Sequence, residues 1–213
     1  MPVLQPVHIM DISVKNKAKE PAMPTGSPLT PARSAVAPHL SLPAAPLDLL
    51  ALNIEATFAH SARLVASHIA AHLPDTDTLL ATLPPGALLG KPDTYARHLV
   101  HVDPLERLSA MVLVWRPGQS SPVHGHRTWC AYRVLRGTLR ERHYQWDPAS
   151  QRAQLTNTVA RVTGSTFSVP QGLQHIHALD NASDDIALSL HLYGVHRDHI
   201  ATGVNLVVQT AGA

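Results

Sequence analysis

Cysteine is nearly missing from this 213-residue chain, with Cys130 its only representative. A single thiol cannot close an internal disulfide, which excludes the disulfide-stapled secreted scaffolds and fits a reducing compartment, so a cytoplasmic location is expected. No uncharged apolar run reaches the roughly 18 residues that a membrane-spanning helix needs, and no membrane association is expected. The N-terminus has no charged segment followed by an apolar stretch and a small-residue cleavage site, so no signal peptide is expected either. Charge of one sign is also scarce. The net charge is +2 with histidine neutral, and there is no Lys/Arg cluster or basic helix, so nucleic acid is not an expected partner. No internal repeat is visible.

What the chain does have is apolar bulk and histidine. Hydrophobic residues make up 45%, enough for a packed core, and the length suits one ordinary domain plus an extension. The 15 histidines are compatible with metal chemistry without establishing it.

Residues 1–46 carry half of the 18 prolines together with Ala, Ser and Thr, and read as a flexible or extended arm. The domain proper is expected at 47–213, with helices at 47–83. From Leu47 to about His72, the residues Leu49, Leu50, Leu52, Ile54, Phe58, Leu64, Val65 and Ile69 recur at helical spacing until Pro74. One or two helices fit. A short helical turn is expected at Thr76–Leu83, broken by Pro84-Pro85-Gly86. After Lys91 short apolar runs at Tyr95–Val102, Leu108–Arg116, Cys130–Leu135, Leu139–Trp146, Asn157–Val162 and Ile186–Tyr193 alternate with turn residues. That spacing indicates an all-β sandwich or barrel behind an N-terminal helical layer.

The most informative segment runs Gly118-Gln119-Ser120-Ser121-Pro122-Val123-His124-Gly125-His126 and on through Cys130 to Gly137. In an extended strand, side chains two apart share a face, so His124 and His126 can project together onto one metal. His175-Ile176-His177 repeats the spacing about fifty residues later, after Val169-Pro170-Gln171-Gly172. The glycine and histidine positions form the first cupin signature, G-x5-H-x-H-x3-E-x6-G, with Cys130 where glutamate normally stands. Without that carboxylate, a neutral three-histidine site is the natural outcome. Imidazole suits Fe, Zn, Cu and Ni alike, so ligand type alone does not choose the metal. Three neutral ligands leave the full dipositive charge on it, which favours an incoming thiolate.

At this point the chain resembles the thiol dioxygenases of the cupin superfamily, the cysteine dioxygenase type I family and its bacterial 3-mercaptopropionate relatives. The resemblance runs from about Tyr95 to Tyr193. Ser121-Pro122-Val123-His124-Gly125-His126 is similar to the family's first metal motif. His177-Ala178-Leu179-Asp180-Asn181 resembles its third-ligand motif, Ser189-Leu190-His191-Leu192-Tyr193 its Ser-His-Tyr relay, and Tyr95-Ala96-Arg97 its Tyr-x-Arg carboxylate-binding element. The implied fold is all-β dominated: a cupin-type double-stranded β-barrel, or jelly roll, with the helical layer in front.

The implied roles follow residue by residue. His124, His126 and His177 bind iron(II), Arg97 binds the substrate carboxylate, and Tyr193 stands beside the reacting oxygen with His191 and Ser189 behind it. Tyr95 and Trp129 line the pocket or belong to the core. The implied partners are a small thiol and dioxygen, on a monomer or small homo-oligomer. Several alternatives stay open. The generic second cupin motif picks His175 as third ligand, whereas the spacing to Asn181 picks His177. Cys130 is either a small buried hydrophobe or, as in eukaryotic-type members, joined to Tyr193 by a thioether. Gly125 replaces the usual aspartate, and Gly194-Val195-His196 lacks the usual serine-proline. Arg127 and Arg197 either bind a second carboxylate or lie on the surface. A different metal-dependent cupin enzyme and a non-catalytic metal-binding cupin sensor are the rival functions.

Overall fold

The computed structural model describes residues 44–73, 76–81 and 83–212. Most of the proline-rich arm therefore lies outside the described residues. The first helix, α1, spans Ala44–Ala71, three residues earlier than its apolar pattern begins. Pro46 is no obstacle, because the N–H it lacks would have no intrahelical partner in the first turn. Helix α2 is confined to Thr76–Leu80, short of the expected Leu83. The helix ends before Pro84-Pro85-Gly86, as expected, and Pro85 opens a separate 3-10 turn to Leu89, because its fixed φ suits a helix start.

Ten strands follow among the described residues: β1 Ala96–Val102, β2 Ser109–Trp115, β3 His124–His126, β4 Cys130–Arg136, β5 Thr138–Asp147, β6 Arg152–Val162, β7 Thr166–Val169, β8 Gly172–Asp180, β9 Ala187–Tyr193 and β10 Asn205–Val207. The short helix α3, Ile200–Gly203, precedes β10. All six strands expected from apolar runs form. β6 starts earlier than expected, at Arg152, because its first half is edge strand in which only Ala153 is buried, a weak apolar signal. The strands make two antiparallel five-stranded sheets, ordered β1-β2-β9-β4-β7 and β10-β3-β8-β5-β6. This is the expected jelly roll.

Period-two alternation explains how the first sheet is buried on both faces. In β2, Met111, Leu113 and Trp115 join the core between the sheets. Ala110, Val112 and Val114 pack on the other face, with Leu73, Leu79, Leu80, Leu83 and Leu88 from the helical layer. β9 divides likewise: Leu188 and Leu190 lie under the helices, while Ala187 and Tyr193 face inward. Ser189 and His191 share that inward face by the same alternation. Between the sheets, core residues including Leu113, Trp115 and Leu179 line a cavity of about 520 Å³.

Candidate metal centre and substrate cavity

The two histidine pairs meet because β3 and β8 are hydrogen-bonded neighbours. His124 lies directly opposite His177. The register then slips, so that His126 faces Gly172. Gly125 sits at that slip: a Cβ there would stand 2.5 Å from the Gly172 carbonyl oxygen. No side chain fits, which is the physical reason this chain carries glycine between the two histidines. The three rings of His124, His126 and His177 form a near-equilateral triangle, with centroids 5.0, 4.8 and 5.2 Å apart. One nitrogen from each lies within 4.8 Å of the other two. His175 is exposed and outside the group, so the geometry selects His177.

The backbone around the histidines holds their ring orientation. Ser121 straps the β2–β3 loop to β8: its N–H donates to the Leu179 carbonyl, and its hydroxyl accepts from Leu179 N–H at 3.0 Å. That places the Pro122 carbonyl 2.8 Å from His124 Nδ1, which donates to it. His177 Nδ1 donates to Glu141 Oε1 at 2.6 Å. Both rings are thereby fixed in the tautomer that leaves Nε2 with its lone pair. His177 Nε2 lies 3.0 Å from His126 Nε2. His126 Nδ1 is buried without a hydrogen-bond partner. Burial first, and the neighbouring imidazoles second, lower the pKa of His124 to about 3 and that of His126 well below its usual value. Neutral, inward-facing lone pairs are the protonation state that metal ligation requires. A divalent ion that accepts imidazole nitrogen fits this donor set.

Glu141 is the residue that the motifs missed. It is fully buried on β5, where alternation puts it on the same inward face as Leu139. That position was legible as an acid on a core face, but the strand pattern was read only for its apolar members. Its second oxygen accepts from Arg161 Nε at 2.6 Å and from the Tyr132 hydroxyl at 2.9 Å. Burial pushes the carboxyl upward, yet the His177 and Arg161 contacts together hold it down to about 2. The three histidines therefore have one carboxylate just behind them, bonded to His177. The glutamate absent at position 130 has a counterpart outside the ligand set.

Arg97, Tyr95, Cys130, His191 and Tyr193 line the same cavity as the three histidines. Arg97 Nη2 donates to the Tyr95 hydroxyl at 2.6 Å, and Tyr95 stacks on Trp115 with ring centroids 4.3 Å apart. The guanidinium is thus held at the wall, with its remaining donors available. Cys130 and Tyr193 are register partners on β4 and β9. Both keep their protons, since burial raises both pKa values. Ser189 lies fully buried behind His191, with its hydroxyl 3.0 Å from His191 Nε2. Asn181, read as part of a ligand motif, works structurally: Nδ2 donates to the Trp115 and Asp185 carbonyls and closes the β8–β9 turn.

The structure decides between the alternatives left open elsewhere. Trp129 does not line the cavity; its indole packs over Gly194, where a Cβ would come within 2.4 Å of the ring nitrogen. Close packing of this kind accounts for the glycine after Tyr193. Arg127 is exposed, Arg197 pairs with Asp198, and neither reaches the cavity. The C-terminal segment, unread in the sequence, supplies Ile200, Val204 and Asn205 to the cavity wall.

A family model described as cysteine dioxygenase type I matches residues 87–201. Among solved structures, this chain is similar to the Thermus thermophilus protein TT1209 at 23% identity and a TM-score of 0.40, covering 49% of this chain and 87% of that one. A cupin superfamily protein of Desulfitobacterium hafniense aligns at 13% identity and a TM-score of 0.40, covering 55% of this chain and 87% of that one. Oxalate decarboxylase of Bacillus subtilis aligns at 15% identity and a TM-score of 0.40, covering 50% of this chain but only 27% of its own length. No helix among the described residues is long and apolar enough to cross a membrane.

Proposed function

The chain belongs to the cysteine dioxygenase type I family, and from that premise we propose that it is an iron(II)-dependent dioxygenase of a small thiol carboxylate. Cysteine, 3-mercaptopropionate or a similar acid is converted with dioxygen to the corresponding sulfinic acid. One observation carries the reading. A three-histidine centre, an anchored arginine and a buried tyrosine open into one cavity, so a molecule with a thiol at one end and a carboxylate at the other can meet all three. The overall change is R–SH + O2 → R–SO2H. It balances without a co-substrate, because sulfur supplies the electrons. Iron(II), when bound, supplies an open-sided, redox-active Lewis acid beside which thiolate and dioxygen can react.

The remaining work falls to the protein. Arg97 takes the carboxylate through its planar fork, and the Tyr95 hydroxyl prevents the fork from swinging away. Leu113, Trp115 and Leu179 exclude water from the sulfur end of the cavity. His124 and His126 stay neutral, and Glu141 holds His177 in one orientation. Tyr193 keeps its phenolic proton and presents it to the reacting end. The single buried thiol and the reducing chemistry of the substrate suit the cytoplasm.

The test is a pair of substrates on one variant. Arg97→Ala is expected to raise KM for thiol acids at least tenfold, the size of a lost charge-assisted contact. Turnover of cysteamine, which has no carboxylate, is expected to change little. An equal fall for both substrates would remove Arg97 from the carboxylate site.

A further inference from the structure

Behind Tyr193 lies a buried chain of polar groups whose direction can be worked out atom by atom. It begins at Trp115, whose Nε1 lies 2.9 Å from Ser189 Oγ. Ser189 Oγ lies 3.0 Å from His191 Nε2. On the other side of the ring, His191 Nδ1 lies 3.2 Å from the Tyr193 hydroxyl, and Cys130 Sγ stands 4.0 Å from the same nitrogen. Ser189 is fully buried, His191 is 4% exposed and Trp115 is 1% exposed, so water does not complete these valences.

An indole nitrogen can only donate. The first link therefore runs from Trp115 to Ser189, and the serine oxygen accepts. The Ser189 hydroxyl proton then needs an acceptor, and the partner in reach is His191 Nε2. That nitrogen must offer its lone pair. Burial keeps His191 neutral, lowering its pKa to about 3, so the one ring proton resides on Nδ1. Nδ1–H donates to the Tyr193 oxygen. The phenolic hydrogen, relieved of any duty towards His191, is free to point into the cavity that Tyr193 lines.

We propose that Trp115 is a positioning residue that sets the polarity of the Ser189–His191–Tyr193 chain, so that Tyr193 meets the bound substrate as a hydrogen-bond donor. Without the indole N–H the two directions become nearly equivalent. Ser189 can then accept from His191 Nε2–H, and Nδ1 can accept the Tyr193 proton. In that reversed state the phenol presents only an oxygen lone pair to the cavity. The aromatic contact between Trp115 and Tyr95 is separable from this role, because phenylalanine retains a stacking ring.

The kinetic part of this inference rests on the thiol dioxygenase reading; the tautomer does not. The experiment is a long-range proton–nitrogen NMR correlation on 15N-labelled full-length protein loaded with zinc, a diamagnetic ion. The His191 signals are identified by their loss in His191→Gln. The expected wild-type pattern is a protonated Nδ1 and an unprotonated Nε2. An Nε2–H pattern in the wild type overturns the proposal without any further variant. Trp115→Phe is expected to convert the single pattern to a mixture of both tautomers. Ser189→Ala, which leaves the indole in place, is expected to do the same. A single unchanged Nδ1–H pattern in either variant would show that the indole does not set the direction. With iron-loaded enzyme and a thiol acid, Trp115→Phe is expected to lower kcat about three- to tenfold, the effect of one neutral hydrogen bond, with KM unchanged. A change in KM alone would assign Trp115 to packing. If the wild type turns over no thiol yet shows the Nδ1–H pattern, the functional reading fails and the polarity stands.

Discussion

Glutamine in place of Glu141 removes one charge and almost no volume, and the surrounding donors make the consequence calculable. The carboxylate accepts from three groups at once: His177 Nδ1 at 2.6 Å, Arg161 Nε at 2.6 Å and the Tyr132 hydroxyl at 2.9 Å. Glutamine has one acceptor oxygen and one NH2. If the oxygen faces His177, the NH2 meets the Arg161 guanidinium, which cannot accept. If it faces Arg161, the NH2 meets a histidine nitrogen whose lone pair becomes available only when the ring changes tautomer. Either way one charge-assisted hydrogen bond, about 1.5–3 kcal/mol, is replaced by an unfavourable contact. With the rest of the carboxylate's charge lost beside a largely buried guanidinium, the total is about 3–5 kcal/mol. If His177 changes tautomer, its proton moves onto Nε2, the nitrogen that the metal needs. Metal affinity is then expected to fall about 10–100-fold. Equilibrium competition against a chelator measures the second quantity, and chemical denaturation the first. Arg161→Ala is the control, expected to destabilise the fold while the His177–Glu141 bond keeps metal affinity within about threefold of wild type. Glu141→Gln with full metal affinity and reduced stability would refute the idea that this carboxylate orients the ligand.

Alanine at His124, His126 or His177 is expected to abolish stoichiometric metal binding, while His175→Ala retains it; metal content after desalting decides. Tyr95→Phe keeps the stacking on Trp115 but frees Arg97, so KM for a thiol acid is expected to rise about fivefold with kcat little changed, corresponding to about 1 kcal/mol of lost positioning. The Glu141 carboxyl is held at about 2 against an ordinary 4.5, so its stabilisation is complete above the ordinary value and is lost as pH falls towards the lower one. The stability gap between wild type and Glu141→Gln is accordingly expected to narrow on acidification across that interval. Intact mass before and after reduction tests the thioether joining Cys130 and Tyr193. A linked form is 2 Da lighter, by loss of two hydrogens, and disappears in Cys130→Ala; mass heterogeneity that persists in that variant has another origin.

Much of the site was legible because β structure converts sequence spacing into geometry directly. His124 and His126, or Ser189, His191 and Tyr193, share a face by alternation alone. The fold followed from apolar runs and turn residues, and the strands that escaped notice lack such runs: β10 is three residues long, and β7 is partly exposed. What could not be read was relational. Which histidine of the 175/177 pair turns inward depends on the register slip between β3 and β8. Glu141 and Trp115 sit on different strands from the residues they serve, and no local motif links Glu141 to His177 or Trp115 to Ser189. The sequence offered Trp129 as a pocket candidate, but it packs over Gly194, and the tryptophan that lines the cavity is Trp115.

Oxygen consumption by iron-loaded protein, measured across cysteine, 3-mercaptopropionate, mercaptosuccinate and cysteamine with mass spectrometry of the product, tests the central claim most directly. The account predicts uptake with at least one thiol acid, one O2 consumed per sulfinate formed, and both atoms of labelled dioxygen in that sulfinate. A preparation carrying one iron per chain that consumes no oxygen with any of these thiols, or that forms only disulfide, would contradict it.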